Sequence, residues 1–252
     1  MSDGPTAGAN GREMKTVGKT HVGHVREANE DSYLVADDLG LLVVADGMGG
    51  HAGGEVASSL VIESMQREIR GIGAFAHAAP ALALTAAIRA ANDAVRTKGS
   101  ATPQLRGMGS TVVSALVIER VVHVAHAGDS RAYRIRNGDI ERLTRDHSLV
   151  EEYLAENPEA DEDDVEGAYK HLVTRAVGAA PNLEVDVNEF ECEPGDVVLL
   201  CSDGLTGPVE DDEIAEIVTG CTSLEEAAEA LIEAALDGGG PDNVTVVLGR
   251  ID

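Results

Sequence analysis

The sequence predicts an α+β fold whose strands pair mainly antiparallel. β-branched runs follow one another with only short polar turns between them, and the dipeptide Asn137-Gly138 stands between two such runs. Consecutive strands joined by tight turns pair antiparallel, and Asn-Gly is the strongest short-range signal for a hairpin. Segments 55–70 and 80–98 instead carry apolar residues at spacings of three and four, which is typical of amphipathic helices. At 252 residues, the chain can bury a core as one large domain or two.

In the N-terminal part, strands are predicted at 16–25, 32–36 and 41–45, and they precede the two helices. The second helix begins at Pro80, a residue suited to a first turn. After residue 111, the pattern changes to strands, which are predicted at 111–118, 121–127, 132–136, 139–143, 184–192, 196–201 and 244–248.

The C-terminal part also contains two predicted helices, at 211–219 and 224–236. Residues 222–226 offer the side-chain pairs of a capping box where the second of them begins. Residues 147–175 are rich in acids and are interrupted by Pro158. This composition indicates an exposed, mobile insertion between core strands.

The charge balance excludes two classes of partner. The chain has 45 acidic against 19 basic residues and a formal net charge of −26. Such a chain is repelled by the nucleic-acid backbone and by anionic membrane surfaces, so we expect neither as a partner. No apolar run is long enough to span a membrane.

The cysteines and the N-terminus indicate a cytoplasmic protein. Cys192, Cys201 and Cys221 are odd in number and lack metal-ligand spacing, as expected of unpaired thiols in a reducing cytosol. Residues 1–14 are small, polar and rich in glycine, which predicts a flexible N-terminal tail rather than a signal peptide.

Acidic residues follow buried strands at several places in the chain. Asp46 comes directly after the apolar run 41–45 and is followed by Gly47, whose missing side chain lets the backbone approach an ion closely. A buried strand-end acid is costly unless it is paired, and a hard cation that takes oxygen ligands is one such partner. An isolated Asp-Gly is more simply a turn. However, Asp129, Asp203 and Asp242 also stand at strand edges beside Gly or Asn, which favours the metal interpretation.

Together with Glu30 and Asp31, these aspartates predict one site lined by carboxylates. Oxygen ligands without a histidine or cysteine set favour Mg²⁺ or Mn²⁺ over Zn²⁺. Two such ions, bridged by Asp46, would clamp an in-line displacement at phosphorus. Arg26, four residues before Glu30, would supply a bidentate anchor for the phosphate.

These motifs resemble a known family. The resemblance is carried by the spaced motifs Arg26…Glu30-Asp31, Asp46-Gly47-Met48-Gly49-Gly50, Gly107-Met108-Gly109-Ser110-Thr111, Gly128-Asp129-Ser130-Arg131, Ser202-Asp203-Gly204 and Gly240-Pro241-Asp242-Asn243. In this order they resemble the type 2C metal-dependent serine/threonine protein phosphatases, in their short prokaryotic form. The resemblance covers the chain from about Lys15 to its C-terminus.

The resemblance implies a four-layer α-β-β-α sandwich, with two packed, mainly antiparallel sheets flanked by helices. It implies a single phosphatase domain at 15–252, with the insertion at 147–175 acting as a flap. The implied reaction is hydrolysis of phosphoserine and phosphothreonine on proteins by a metal-activated water at a dinuclear Mn²⁺ or Mg²⁺ site. The implied partners are phosphoproteins and a cognate serine/threonine kinase, and we expect a monomer.

The resemblance also assigns roles to residues. Asp46 would bridge the two metals, the Gly47 carbonyl would bind one, and Asp203 and Asp242 would complete the other. A weak third metal would be shared by Asp129 and Asp203. Arg26 would hold the substrate phosphate. Glu30 and Asp31 would act on the metals either directly or through water. One departure concerns Met48, because animal members carry a histidine there, so no general acid is carried over to that position.

Two other functions, a dinucleotide-binding oxidoreductase and a phosphoprotein-binding module, fit parts of the sequence. Residues 47–52 fit the G-x-G-x-x-A pattern of a dinucleotide-binding oxidoreductase, but no second apolar strand ending in an acid follows the helix. A non-catalytic phosphoprotein-binding module could keep the same fold. Such a module would be expected to have lost the carboxylates that bind the metals. Asp46, Asp203 and Asp242 are all present.

We predict that molar KCl or NaCl raises both the thermal midpoint and the activity. Four lysines among 19 basic residues and a charge of −26 indicate a surface adapted to a high-salt cytoplasm. At molar salt the Debye length falls to about 3 Å, which removes most of the repulsion between exposed acids. Thermal melts at low and molar salt test this, and an unchanged or lower midpoint in salt would contradict it.

Overall fold

Two antiparallel sheets form the centre of the structure, a computed structural model that describes residues 14–50, 52–157, 159–161 and 172–252. The strands are β1 (Met14–His21), β2 (Asp31–Ala36), β3 (Leu41–Met48), β4 (Gly109–Ser110), β5 (Val112–Ile118), β6 (Val121–Ala127), β7 (Arg131–Arg136), β8 (Asp139–Arg142), β9 (Asp186–Glu191), β10 (Val197–Cys201) and β11 (Val244–Ile251). The helices are α1 (Gly53–Ile72), α2 (Ala74–Ala78), α3 (Pro80–Ala101), α4 (Leu149–Glu156), α5 (Asp203–Thr206), α6 (Asp211–Gly220) and α7 (Leu224–Asp237).

The two sheets each combine strands from distant parts of the chain. One sheet has the order β1-β11-β10-β7-β8, and the other has the order β2-β3-β5-β6-β9, with the short β4 paired to β3. All of these pairs are antiparallel. The dinucleotide-binding alternative required a parallel sheet with helical crossovers, so the observed pairing contradicts it.

Three layers of apolar packing separate four layers of secondary structure. Leu42 and Val44 of β3 pack between the two sheets, whereas Leu41 and Val43 face α1 and α3 on the outside. This alternation explains why the strand is apolar at every position, since both of its faces are buried. The outer face of the other sheet is covered by α6 and α7. The predicted four-layer α-β-β-α sandwich is therefore confirmed.

The structure differs from the sequence-based prediction in the pairing of two strands and in additional short helices. The segments predicted at 184–192 and 196–201 lie on either side of a turn at Pro194-Gly195, yet they do not form a hairpin. β9 pairs with β6 in one sheet, and β10 pairs with β7 and β11 in the other. Local turn chemistry cannot distinguish a hairpin from a crossing between sheets, because the choice depends on distant partners. The short helix α2 was not predicted, since its segment is small and rich in alanine and glycine.

The other predicted helices and strands are present, although the strand predicted at 16–25 is β1 (Met14–His21), and α4 and α5 were not predicted either. The predicted helix cap is present at α7, where Ser223 Oγ accepts from the Glu226 backbone N–H at 3.1 Å. The Thr222 backbone N–H donates to Glu226 Oε2 at 2.8 Å, so the return bond falls one residue earlier than in a standard capping box. No described helix is both long and apolar enough to cross a bilayer.

Parts of two predicted segments lie outside the described residues. These are residues 1–13 of the predicted tail, and residues 158 and 162–171 of the predicted insertion. Met14, which the prediction placed in the tail, is the buried first residue of β1. Within the insertion, α4 is a regular helix whose N-terminal Ser148 accepts from the Glu151 backbone N–H at 3.3 Å.

Candidate metal centre

All of the predicted site residues except Asp31 line a single cleft of about 930 Å³ at one end of the sheets. They are Arg26, Glu30, Asp46, Gly47, Asp129, Asp203 and Asp242. These residues come from segments more than 200 positions apart in the sequence, so their convergence is a property of the fold. Asp31 is 8% exposed and does not line the cleft.

Asp46 is held by neutral groups from two of the motifs. Its backbone N–H donates to Thr111 Oγ1 at 3.0 Å, and its carbonyl accepts from the Thr111 N–H at 2.8 Å. The Thr111 hydroxyl also lies 2.7 Å from Ser130 Oγ, next to Asp129. The motifs around Thr111 and Ser130 therefore support the backbone of Asp46 and join it to the loop that carries Asp129.

Asp31 is the direct cross-strand partner of Asp46, because the two face each other in the β2–β3 register. Its Oδ2 accepts hydrogen bonds from Ser202 Oγ at 2.7 Å and Thr245 Oγ1 at 2.6 Å. Its Oδ1 is buried and has no hydrogen-bond partner among the described residues. Burial, only partly offset by the two hydroxyls, raises the pKa of Asp31 to about 6.

Asn243 fixes the loop that carries Arg26 and Glu30. Its Oδ1 accepts from the Glu30 N–H at 2.7 Å, and its Nδ2 donates to the carbonyls of Val22 and Ala28, both at 2.9 Å. In the sequence, Asn243 is recognisable only as part of the motif Gly240-Pro241-Asp242-Asn243. A buried asparagine that satisfies three backbone groups of a distant loop cannot be recognised from local pattern.

Arg26 and Asp242 form an ion pair in this structure. Arg26 Nη2 donates to Asp242 Oδ2 at 2.6 Å, and the arginine side chain is 52% exposed. The predicted phosphate anchor and one predicted metal ligand therefore lie in direct contact, which the sequence analysis did not foresee.

Two glycines allow close backbone approach at the cleft. A Cβ at Gly47 would lie 2.1 Å from the Gly54 carbonyl oxygen, and a Cβ at Gly204 would lie 1.9 Å from the Asn243 carbonyl oxygen. No side chain fits at those distances, so Asp46 and Asp203 must each be followed by glycine for steric reasons.

The electrostatics of the cleft favour a bound cation. Burial raises the pKa of Asp46 well above its usual range, and the neighbouring carboxylates Asp31 and Asp203 raise it further. Burial and the carboxylate of Asp203 likewise raise the pKa of Asp129 to about 7. Buried carboxylates that destabilise one another's charge, with an unpartnered oxygen on Asp31, fit hard divalent ions such as Mn²⁺ or Mg²⁺.

Asp129 could instead have a purely structural role, if it formed an ion pair with Arg131 or Arg134. The contacts of these two arginines do not support that role. Arg131 instead donates to Asp146 through Nε and Nη2, with distances of 3.1 Å and 2.8 Å to Oδ2. Arg134 is paired with Glu141. Neither arginine forms an ion pair with Asp129 among the described contacts.

The cleft extends beyond the predicted carboxylates to residues just before the insertion and at both of its ends. This part is lined by Arg131, Arg142, Asp146, Ser148, Val150, Glu151, Leu172 and Val173. The prediction of a flap at 147–175 assigned no chemistry to these residues. Their position places both described ends of the insertion beside the carboxylate site.

A family comparison agrees with this geometry. The model of the family described as Protein phosphatase 2C matches residues 17–237. The chain belongs to this family. The family predicted from the six motifs is therefore confirmed.

Among the relatives of this 2C-type chain, Serine/threonine phosphatase stp of Listeria monocytogenes is 36% identical over 238 residues, which are 93% of this chain and 94% of the relative. Serine/threonine protein phosphatase PstP of Mycobacterium tuberculosis is 38% identical over 241 residues. This match covers 94% of the chain but only 45% of PstP. A solved structure of the PstP catalytic domain in complex with 2 manganese ions aligns with a TM-score of 0.82 at 38% identity, covering 95% of this chain and 99% of that one.

We predict that Asp129→Asn stabilises the metal-free 2C-type chain increasingly as the pH rises from about 4 to 7. The folded-state pKa of Asp129 is about 7, above the usual value for an aspartate. Below this pH the folded protein therefore holds the Asp129 carboxyl in its protonated form. The wild type thus loses stability as the pH rises through this window, and an asparagine does not. The measurement is the difference in thermal midpoint between variant and wild type in EDTA across this range.

Asp38→Asn is the matched control. The hydrogen bond from Arg70 lowers the pKa of the exposed Asp38, so its contribution is lost only at lower pH. Its effect on the midpoint should therefore be constant between pH 5 and pH 8. If the effect of Asp129→Asn is constant as well, Asp129 is not held in its protonated form.

Proposed function

We propose that this chain hydrolyses phosphoserine and phosphothreonine on proteins at a centre of two Mn²⁺ or Mg²⁺ ions. The observation that carries the proposal is the convergence of Asp46, Asp129, Asp203 and Asp242 in one cleft. There, burial and nearby carboxylates disfavour the charged forms of Asp46 and Asp129. The names of the Listeria and mycobacterial relatives and the manganese complex of PstP support the same activity.

The proposed ligands are those that the family resemblance implies, and all of them line the cleft. Asp46 and the Gly47 carbonyl would hold one ion, and Asp46, Asp203 and Asp242 would hold the other. Asp129 and Asp203 would hold a weaker third ion. Glu30 lines the cleft and would act on the ions from there, whereas Asp31 is the buried cross-strand partner of Asp46 and does not line the cleft.

When bound, the ions supply an activated water near neutral pH and neutralise charge on the phosphoryl oxygens. The chain itself supplies orientation. Arg26 binds the phosphate in place of Asp242, and the Asn243 hydrogen bonds hold its loop in position. Thr111 and Ser130 keep Asp46 and Asp129 at a fixed separation through neutral hydrogen bonds, which add no competing positive charge. Met48 lines the cleft and offers no proton donor.

The wider setting is proposed on the same basis. The substrates are phosphoproteins made by a serine/threonine kinase, and the chain acts as a cytoplasmic monomer with neither nucleic acid nor membrane as a partner. Residues 147–175 form a flap beside the cleft, and the acidic, lysine-poor composition suits a high-salt cytoplasm. The remaining alternative is a non-catalytic phosphoprotein-binding module, which would keep the cleft but would not hydrolyse the bound phosphoprotein.

We expect Asp46→Asn to abolish hydrolysis while the protein stays folded. Asparagine keeps the volume and the backbone contacts to Thr111 but removes the charge that bridges the ions. The expected loss in kcat is at least about 100-fold, the upper end of effects seen for outer-shell groups of metal sites. The assay uses phosphothreonine and phosphotyrosine peptides with and without Mn²⁺ and EDTA, at low and high salt.

Asp139→Asn, at the exposed first residue of β8, controls for the loss of one negative charge and should keep wild-type turnover. Near-normal turnover by Asp46→Asn would refute the two-metal assignment. A wild type that binds phosphopeptides but never releases phosphate, with Mn²⁺ present, would favour the binding module.

We expect Arg26→Ala to raise KM for phosphopeptides and leave kcat nearly unchanged. Charge-assisted hydrogen bonds of this kind are worth about 1.5–3 kcal/mol, which corresponds to roughly 10- to 150-fold in KM. Mn²⁺ affinity should not fall, because the substitution also removes the cation that pairs with Asp242. Steady-state kinetics and calorimetric Mn²⁺ titration measure the two effects separately.

Arg26→Lys is the matched variant, since it keeps the charge but loses the planar fork, and its KM should lie between the other two. A collapse of kcat at constant KM would mean that Arg26 acts in the transition state rather than as a ground-state anchor.

A further inference from the structure

A second polar cluster, formed by His126, His147, Arg175 and Asp186, lies where the two ends of the predicted flap meet. The His147 carbonyl accepts from the Thr174 N–H at 2.8 Å, and Ser148 forms a β-bridge with Val173. The His147 side chain is only 5% exposed. None of the roles proposed above uses this cluster.

His147 hydrogen-bonds both backbone groups of Gly128, the residue that precedes Asp129. The backbone N–H of His147 donates to the Gly128 carbonyl at 3.0 Å, and the ring Nδ1 of His147 accepts from the Gly128 backbone N–H at 3.2 Å. Because Nδ1 accepts, the ring proton of neutral His147 resides on Nε2. That nitrogen lies 3.3 Å from Asp186 Oδ2, so Asp186 is placed to hold the histidine in this tautomer.

The ring and the carboxylate are themselves held in place. Arg175 Nη1 donates to Asp186 Oδ1 at 3.1 Å and lies 3.4 Å from His147 Nε2. The His126 ring stacks on His147 with centroids 4.6 Å apart and planes inclined by 15°. His126 Nε2 donates to the Arg145 carbonyl at 2.8 Å, which fixes the orientation of that ring.

The same residues resemble a metal site, but their hydrogen bonds argue against one. Nitrogen or oxygen atoms of His126, His147 and Asp186 lie within 4.8 Å of one another. A metal ion on His147 Nε2 would move the ring proton to Nδ1, towards the N–H of Gly128. The guanidinium of Arg175 also already provides the positive charge beside Asp186. The cluster therefore serves the backbone rather than a cation.

Gly128 needs such support because its conformation is unusual and its surroundings are tight. Its φ is +118°, and a Cβ at this position would lie 2.6 Å from the Thr111 side chain. Thr111 in turn bonds the backbone of Asp46 and the hydroxyl of Ser130. The position of the Gly128 backbone therefore determines the position of Asp129 relative to Asp46.

We propose that His147, oriented by Asp186, is a positioning residue that holds Asp129 at the catalytic cleft through the backbone of Gly128. This inference rests on the proposed function, in which the carboxylate of Asp129 contributes to turnover. It gives the base of the flap a direct connection to that carboxylate, since the same residue also receives the hydrogen bond from Thr174.

Two isomeric substitutions separate the contacts of His147. In His147→Asn the amide oxygen takes the place of Nδ1 and still accepts from the Gly128 N–H. In His147→Gln the amide reaches the place of Nε2, near Asp186, and leaves the Gly128 N–H without its acceptor. We expect kcat of the glutamine variant to fall about 10- to 100-fold below that of the asparagine variant, with similar KM for phosphopeptides.

Hydrogen exchange of the Gly128 amide in the metal-free proteins gives a readout independent of activity. Exchange should be slow in the wild type and in His147→Asn, and faster in His147→Gln. Equal exchange rates and equal kcat values in the two variants would overturn the inference while leaving the phosphatase function intact. A wild type without Mn²⁺-dependent activity would overturn the proposed function, and the exchange rates would still test the hydrogen bond.

A double-mutant cycle distinguishes positioning from general destabilisation. If His147 acts through Asp129, adding His147→Gln to Asp129→Ala should lower kcat no further. If the two losses in kcat multiply, His147 acts by another route and the inference is wrong.

Discussion

The structure depends on the burial of several carboxylates at one end of two packed sheets. Each is carried there by a strand end or a tight turn, and Asp31 and Asp46 face each other across a strand pair. Burial and nearby carboxylates both oppose the ionisation of Asp46 and Asp129 and raise the pKa values of these two groups. The fold is therefore built around a set of acids that it does not itself neutralise.

Neutral hydrogen-bonding groups, rather than cations, hold the side chain of Asp31 and the backbone of Asp46 in place. Ser202 and Thr245 bind Asp31, and Thr111 binds the backbone of Asp46. Basic side chains would have offset the repulsion but would also have competed with a metal. Arg26 is the exception, because it pairs with Asp242 at the solvent-exposed rim of the cleft.

The carboxylate site was predictable because its signals are local, whereas its support was not. An apolar strand that ends in Asp-Gly can be seen at Asp46 and again at Asp203 from a few neighbouring residues. The hydrogen bond from Thr245 to Asp31 joins residues 214 positions apart, and no local sequence pattern predicts it. The crossing of β9 and β10 into different sheets escaped prediction for the same reason, since a turn looks alike in both cases.

The acids on the surface and those in the cleft differ in what can relieve their repulsion. Salt screens charges separated by solvent, so molar KCl acts on the exposed acids that give the chain its charge of −26. Screening is much weaker between buried groups, so salt leaves the repulsion between Asp46 and its neighbours largely intact. Only protonation or a cation bound within the cleft can remove it. Salt and divalent metal should consequently stabilise this protein independently, and neither should substitute for the other.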